Sequence, residues 1–143
     1  MSGQSPIVVL DASAVLAWVL NDPGWKAVDR LLPVATIPAS AMVECLYAAK
    51  AKGQRTEPEE LYAALRAVGL RVEPVTAEDV VRAAELIAAS HANAEVNAEK
   101  RSPSLSLGDG LCIAVAERLE LPLAGGDTYW ETLDLRVSFM PFR

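Results

Sequence analysis

Two unbroken apolar runs organise the pattern of this chain. The first, Ile7 to Leu10, is rich in β-branched residues and bounded by Pro6 and Asp11. It predicts a parallel strand buried on both faces. The second, Leu111 to Ala116, follows the small and polar starters Ser106, Gly108 and Asp109. It predicts a helix buried nearly all round. Glu117, Arg118 and Glu120 mark where that helix should reach water, and Pro122 forbids its continuation. Leu121 to Ala124 then reads as a short interior strand running into Gly125, Gly126 and Asp127. This order sets Asp109 at a helix N-terminus and Asp127 at the carboxyl end of a strand, where open α/β sheets keep their sites.

The remaining pattern fills in the same alternation. Helices are expected from Ala12 to about Leu20 and from Trp25 to Leu32, separated by the turn cluster Asn21 to Gly24 and stopped by Pro33. Thr36 and Ile37 make a short strand. Ser40 should cap a helix that carries Glu44 and ends at Gly53, and Thr56 should cap one that ends at Gly69. Arg71 to Val75 reads as a strand, and Thr76 with Asp79 opens a helix reaching about His91. Ala92 to Pro103 is polar and charged, a loop or a frayed helical extension and a candidate mobile segment over a site. Tyr129 to Leu135 reads as irregular and Arg136 to Phe139 as the last strand. The economical fold is α/β: a central parallel β-sheet flanked by α-helices, with residues 1–143 as one domain.

Composition narrows the chemistry. The apolar runs are too short and too interrupted for a membrane span, and no basic n-region precedes Ile7, which points to a cytoplasmic protein. Cys45 and Cys112 stand alone in apolar surroundings without metal-site spacing, as buried reduced thiols do. His91 is the single histidine, which argues against a His-rich metal site or a Ser-His-Asp triad; a solvated place near a helix end suits it. The net charge of −6 argues against a broad basic nucleic-acid face. It leaves open a nuclease whose phosphate contact is made by bound metal ions.

Four of the 19 acids have no Lys or Arg within five positions: Asp11, Glu44, Asp109 and Asp127. At six positions Lys50 joins Glu44. The same four stand beside apolar runs instead of in charged surface stretches. Each has a plain structural reading: Asp11 and Asp109 as helix caps, Glu44 as a snorkelling group on a half-buried helix, Asp127 as a turn acid. Taken together they share one end of the expected sheet. Two carboxylates about 5 Å apart repel by roughly 3 kcal/mol at an effective dielectric of 20, so converging acids need a cation. Local sequence offers none, and Mg²⁺ or Mn²⁺ prefers carboxylate and water oxygens. Ser13, two residues beyond Asp11, is placed to hydrogen-bond a carboxylate or a phosphate, or simply to open its helix.

The stretches Ile7 to Ser13, Glu44, LSLGDGLCIA and LPLAGGD resemble, in that order along the whole chain, the four acid motifs of the PIN-domain nucleases, and more narrowly the VapC toxins of toxin-antitoxin pairs. The third stretch is the most specific. The resemblance implies a single PIN domain and a Mg²⁺- or Mn²⁺-dependent endoribonuclease that cleaves RNA phosphodiester bonds. Asp11 and Asp109 would bind metal directly, Glu44 would complete or bridge the shell, and Asp127 would act on a second metal or through water. It further implies a homodimer and a cognate VapB-type antitoxin lying across an apolar groove; Trp18 and Trp25 are the candidates to line that groove, unless both are core aromatics. One departure stands out. The family commonly has Thr or Ser two residues before the last acid, and here that place is Gly125. That departure is the sequence's one hint of a rival class, a catalytically impaired PIN-fold module acting through protein partners. A receiver-type or phosphatase domain fits less well, since Ser13 occupies the second acid position of an Asp-x-Asp pair and no Lys follows Lys100.

Overall fold

The first apolar run forms strand β1 (Val8–Leu10), every residue of it buried, in a computed structural model that describes residues 5–96 and 104–143. Around β1 lie β2 (Ala35–Pro38), β3 (Arg71–Glu73), β4 (Leu123–Gly125) and β5 (Phe139–Pro141), all parallel, in the order β3-β2-β1-β4-β5. Helices α1 (Ala12–Leu20) and α2 (Trp25–Leu31) connect β1 to β2. Helices α3 (Ala39–Ala51) and α4 (Pro58–Ala67) connect β2 to β3, and α5 (Ala77–Val96) and α6 (Leu107–Leu119) return the chain to β4. The first crossovers move away from β1 on one side, and the third brings the chain back to its other side. The strand order therefore reverses between β1 and β4, and a crevice opens beyond their carboxyl ends.

The core explains the two runs. Val8, Val9, Leu10, Ile37 and Leu123 fill the sheet, while Cys112 to Ala116 of α6 are all buried, as an apolar run without polar phase requires. Cys45 and Cys112 are free, buried thiols. Among the described residues no helix is long and apolar enough to cross a membrane.

Several local expectations shift. Pro38, not Ser40, precedes α3, because β2 runs straight into the helix; Ser40 Oγ is buried and has no hydrogen-bond partner among the described residues. Glu57, not Thr56, occupies the N-cap of α4, and Pro58 supplies the first turn with no donor to satisfy. Pro33 sits within a 3₁₀ turn, Leu32–Val34, that follows α2. The helix from Ala77 extends to Val96, so its helical reading holds through that residue; the remainder of the expected mobile segment, residues 97–103, lies outside the described residues. His91 is exposed on that helix.

Glu117 does not reach water. It is buried, takes Arg82 Nε at 2.7 Å and accepts the Arg136 N–H at 2.9 Å. Burial pushes its carboxyl up, but those hydrogen bonds and the Arg82 and Arg136 charges outweigh it and hold Glu117 below its ordinary value. The same bond moves the last strand. With the Arg136 N–H spent on Glu117, ladder pairing to β4 begins at Ser138, whose carbonyl accepts from Leu123, and β5 starts at Phe139. Arg118, its neighbour in sequence, turns instead to Asp79 and Glu73, at 2.9 and 3.0 Å.

Candidate active site

The crevice at the β1/β4 reversal is a cleft of about 380 Å³, and Asp11, Glu44, Asp109 and Asp127 all line it, with Ser13, Gly108, Cys112, Gly126, Trp130 and Arg143. Sheet register fixes the first and last of these acids. The Asp11 N–H donates to the Ala124 carbonyl at 3.1 Å, so the residue after β1 is tied to the end of β4. Asp127 follows two residues beyond β4 and caps a 3₁₀ turn, Thr128–Thr132, by accepting the Tyr129 N–H at 3.0 Å. Asp109 sits in the first turn of α6. Its Oδ2 accepts the Ser106 N–H at 3.1 Å, while Ser106 Oγ accepts the Asp109 N–H at 3.1 Å, a reciprocal cap. Glu44 reaches across from α3 to the start of α6: a Cβ on Gly108 would stand 1.7 Å from its Oε1.

Asp11 is the buried member, 6% exposed. Its Oδ1 accepts the Ala14 N–H at 2.8 Å, and Ser13 Oγ lies 2.8 and 2.9 Å from its two oxygens. The same Ser13 oxygen accepts the Gly126 N–H at 3.1 Å and so links the ends of β1 and β4. Burial, with the Asp109 charge adding to it, outweighs these hydrogen bonds and pushes the Asp11 carboxyl up to about 6. Burial and the charges of Asp109 and Asp11 also raise Glu44. Cys112, buried at the cleft wall, is raised well above the usual thiol range by burial and by Asp11, Asp109 and Glu44, which keeps it a neutral thiol.

Gly125 has a steric role. A Cβ there would meet Asp11 Oδ2 at 2.6 Å and Phe139 at 3.2 Å, so the missing side chain is the space that the Asp11 carboxylate occupies. The hydroxyl absent at this place has a counterpart in Ser13, which bonds Asp11 from β1's side of the cleft.

The donor chemistry suits a hard divalent cation, since four carboxylates and one hydroxyl offer only oxygen. Carboxylates that raise one another's affinity for protons have the same unmet need for positive charge. The arrangement is not a closed cage: among the described residues no three His, Cys, Asp or Glu side chains converge closely enough to hold one ion. Asp109 and Asp127 each spend an oxygen on capping a backbone N–H.

Two residues of the cleft escape a reading based on neighbours in sequence. Arg143 brings a positive charge to the cleft that no neighbour of the four acids in sequence announces, delivered by the segment that follows β5. Trp130 is buried, packs edge-on against Phe139 at 5.7 Å, and finds no partner for its indole N–H among the described residues. Neither has a local signal: Arg143 shares its end of the chain with Arg136, and Trp130 sits in an irregular stretch. Trp18 and Trp25 are both half-buried and do not line this cleft; the Trp18 indole donates to Asp29 at 2.9 Å, and Lys26 lies over the Trp25 ring.

The model of the PIN domain family matches residues 8–134. No curated protein sequence matches. Among solved structures, a toxin-antitoxin complex from Klebsiella pneumoniae is similar, with a TM-score of 0.70 at 15% identity over 95% of this chain and 98% of that one. VapBC2 from Rickettsia felis, bound to a DNA fragment from their promoter, gives 0.66 at 16% over 94% and 98%. The sarcin-ricin loop cleaving toxin VapC20 of Mycobacterium tuberculosis gives 0.63 at 17% over 92% and 98%.

Proposed function

The chain belongs to the PIN domain family, and from that premise we propose that it is a Mg²⁺- or Mn²⁺-dependent endoribonuclease toxin, neutralised by a VapB-type antitoxin. The observation that carries this reading is the meeting of Asp11, Glu44, Asp109 and Asp127, distant in sequence, at one cleft beyond the β1/β4 reversal. Asp11 and Asp109 are assigned as direct metal ligands, Glu44 as the residue that completes the shell, and Asp127 as the acid that acts on a second ion or through water. A hard divalent cation bound there supplies a water of lowered pKa and screens charge on the phosphoryl oxygens. The chain's own contributions are positional. Ser13 and the Ala14 N–H hold the Asp11 carboxylate in one orientation, and Gly125 and Gly108 leave the space that Asp11 and Glu44 fill. For RNA the generic expectation is a single-stranded or loop segment, which fits an open cleft.

A homodimer and an antitoxin complete the proposed assembly; the similar solved structures described as toxin-antitoxin or VapBC complexes support the second of these. Trp18 and Trp25 remain the proposed contacts for the antitoxin.

The test is RNA cleavage by purified protein with Mn²⁺ or Mg²⁺, against chelator, Asp11→Asn and Asp109→Asn. Loss in all three controls is the expected result; equal cleavage by wild type and both variants would mark a contaminant and sink the assignment. A second reading, a PIN-fold binding module without catalysis, draws on the absence of three converging ligands among the described residues. Unchanged cell growth on expression, with no metal-induced thermal shift, would select it.

A further inference from the structure

Arg143 reaches the cleft by a route that two glycines keep open. Beyond β5 the Phe142 N–H donates to the Gly125 carbonyl at 3.3 Å, so the chain continues alongside β4 and over its carboxyl end. The Phe142 ring is buried, and a Cβ on Gly24 would meet it at 2.7 Å and one on Gly126 at 3.0 Å. Gly24, at φ +93°, and Gly126 thus form the bed on which this ring lies. The guanidinium of Arg143 stacks on the ring, its carbon 4.9 Å from the centroid, and Nη2 comes within 3.0 Å of the place a Gly126 Cβ would take. The result is a planar cation oriented by an aromatic face at the mouth of an acidic cleft.

What the guanidinium does not do is equally informative. It is the sole cation among the residues lining the cleft, beside four carboxylates, yet among the described residues it takes part in no ion pair. A counter-ion for the acids would sit against one of them. A guanidinium with its donor fork unspent is matched to a pair of anionic oxygens on one centre, the geometry of a phosphodiester. An RNA strand approaching a molecule of net charge −6 needs such a contact, since the acids that hold metal repel the backbone itself.

We propose that Arg143 is a phosphate-binding residue of the cleft, its guanidinium taking the non-bridging oxygens of an RNA phosphate beside Asp127. This inference rests on the nuclease reading and assigns it a substrate contact.

The test uses the full chain and two variants, Arg143→Gln and Arg143→Lys, with two readouts. Binding of a fluorescent single-stranded RNA oligonucleotide is followed by anisotropy in Ca²⁺, with the RNA checked on a gel as intact. Cleavage is followed in Mn²⁺ as separate kcat and KM. Arg143→Gln is expected to weaken binding and raise KM by about tenfold, with a salt dependence shallower by roughly one phosphate contact. Arg143→Lys, which keeps the charge but not the fork, should fall between. Melting temperatures equal to wild type would separate this from misfolding. If wild type binds and cleaves RNA and Arg143→Gln matches it in KM and salt slope, the inference fails while the nuclease reading stands. If Arg143→Gln instead tightens Mn²⁺ binding and leaves RNA affinity unchanged, Arg143 serves the acids alone and the inference also fails. If wild type neither binds nor cleaves RNA, the nuclease reading itself has failed and takes this assignment with it.

Discussion

Replacing Asp11 by Asn should make the metal-free protein more stable while removing its metal affinity. Asp11 is held ionised at neutral pH in a place where burial raises its pKa from 3.8 to about 6. Each pKa unit corresponds to about 1.4 kcal/mol, so keeping this charge in the fold costs about 3 kcal/mol above about pH 7. Asn keeps an oxygen for the Ala14 N–H but exchanges one Ser13 contact for an amide, a loss of about 1 kcal/mol. The net gain is about 2 kcal/mol, or roughly 6 °C in melting temperature for a domain of this size. The pH dependence carries a definite sign. Folded Asp11 binds its proton more tightly than unfolded Asp11, so the wild-type deficit is complete above about pH 7, shrinks as pH falls through about 6, and is gone below 3.8. Thermal unfolding of both proteins in chelator, at about pH 8 and about pH 4.5, measures the two gaps. Saturating Mn²⁺ should reverse the order, because only wild type gains binding free energy. A variant no more stable than wild type in chelator at the higher pH, or a gap indifferent to pH, would refute the electrostatic reasoning.

Gly125→Thr, which restores the side chain common at this place in the family, should impair this protein: the new Cβ meets Asp11 Oδ2 at 2.6 Å, and a loss of about 1–3 kcal/mol in stability with reduced cleavage is expected by denaturant titration and RNase assay. Gly108→Ala should displace the Glu44 carboxylate from α6, weakening Mn²⁺ binding by calorimetry while the far-UV spectrum stays unchanged. Glu117→Gln should cost about 2 kcal/mol through its pair with Arg82 without altering cleavage, since Glu117 does not line the cleft. Asp79, whose carboxyl is pushed up by burial but held lower overall by Arg118 and Thr76, contributes stability above its unfolded pKa that is lost as pH falls through its folded one; Asp79→Asn should flatten the acid limb of a stability–pH profile below about pH 4.

The parts of the fold and site legible in the sequence were those written in contiguous residues. β1 and α6 announce themselves by apolar runs with no polar phase, and the Ser106–Asp109 and Thr76–Asp79 caps by spacing alone. The four acids stood out because charge partners on a surface tend to be sequence neighbours. That rule also misled. Glu117 has Arg118 beside it, yet a helix turns successive side chains about 100° apart, so Glu117 faces Arg82 of α5 and Arg118 faces Asp79. Arg143 was invisible for the converse reason, since only the parallel pairing of β5 with β4 brings it to the cleft. β5 starts later than its pattern predicts because a side chain, Glu117, claims a backbone donor that periodicity assigns to the ladder.

The Ser13–Gly126 hydrogen bond joins residues 113 positions apart. A contact of that span can close only after all of the intervening chain has been made. Asp11 is therefore made well before Gly125 and Gly126, the residues that complete its surroundings. Until β4 and β5 emerge the growing chain carries acids without the cleft that gathers them, so for a protein whose proposed substrate is RNA, the ribosome that makes it is working with an unarmed product.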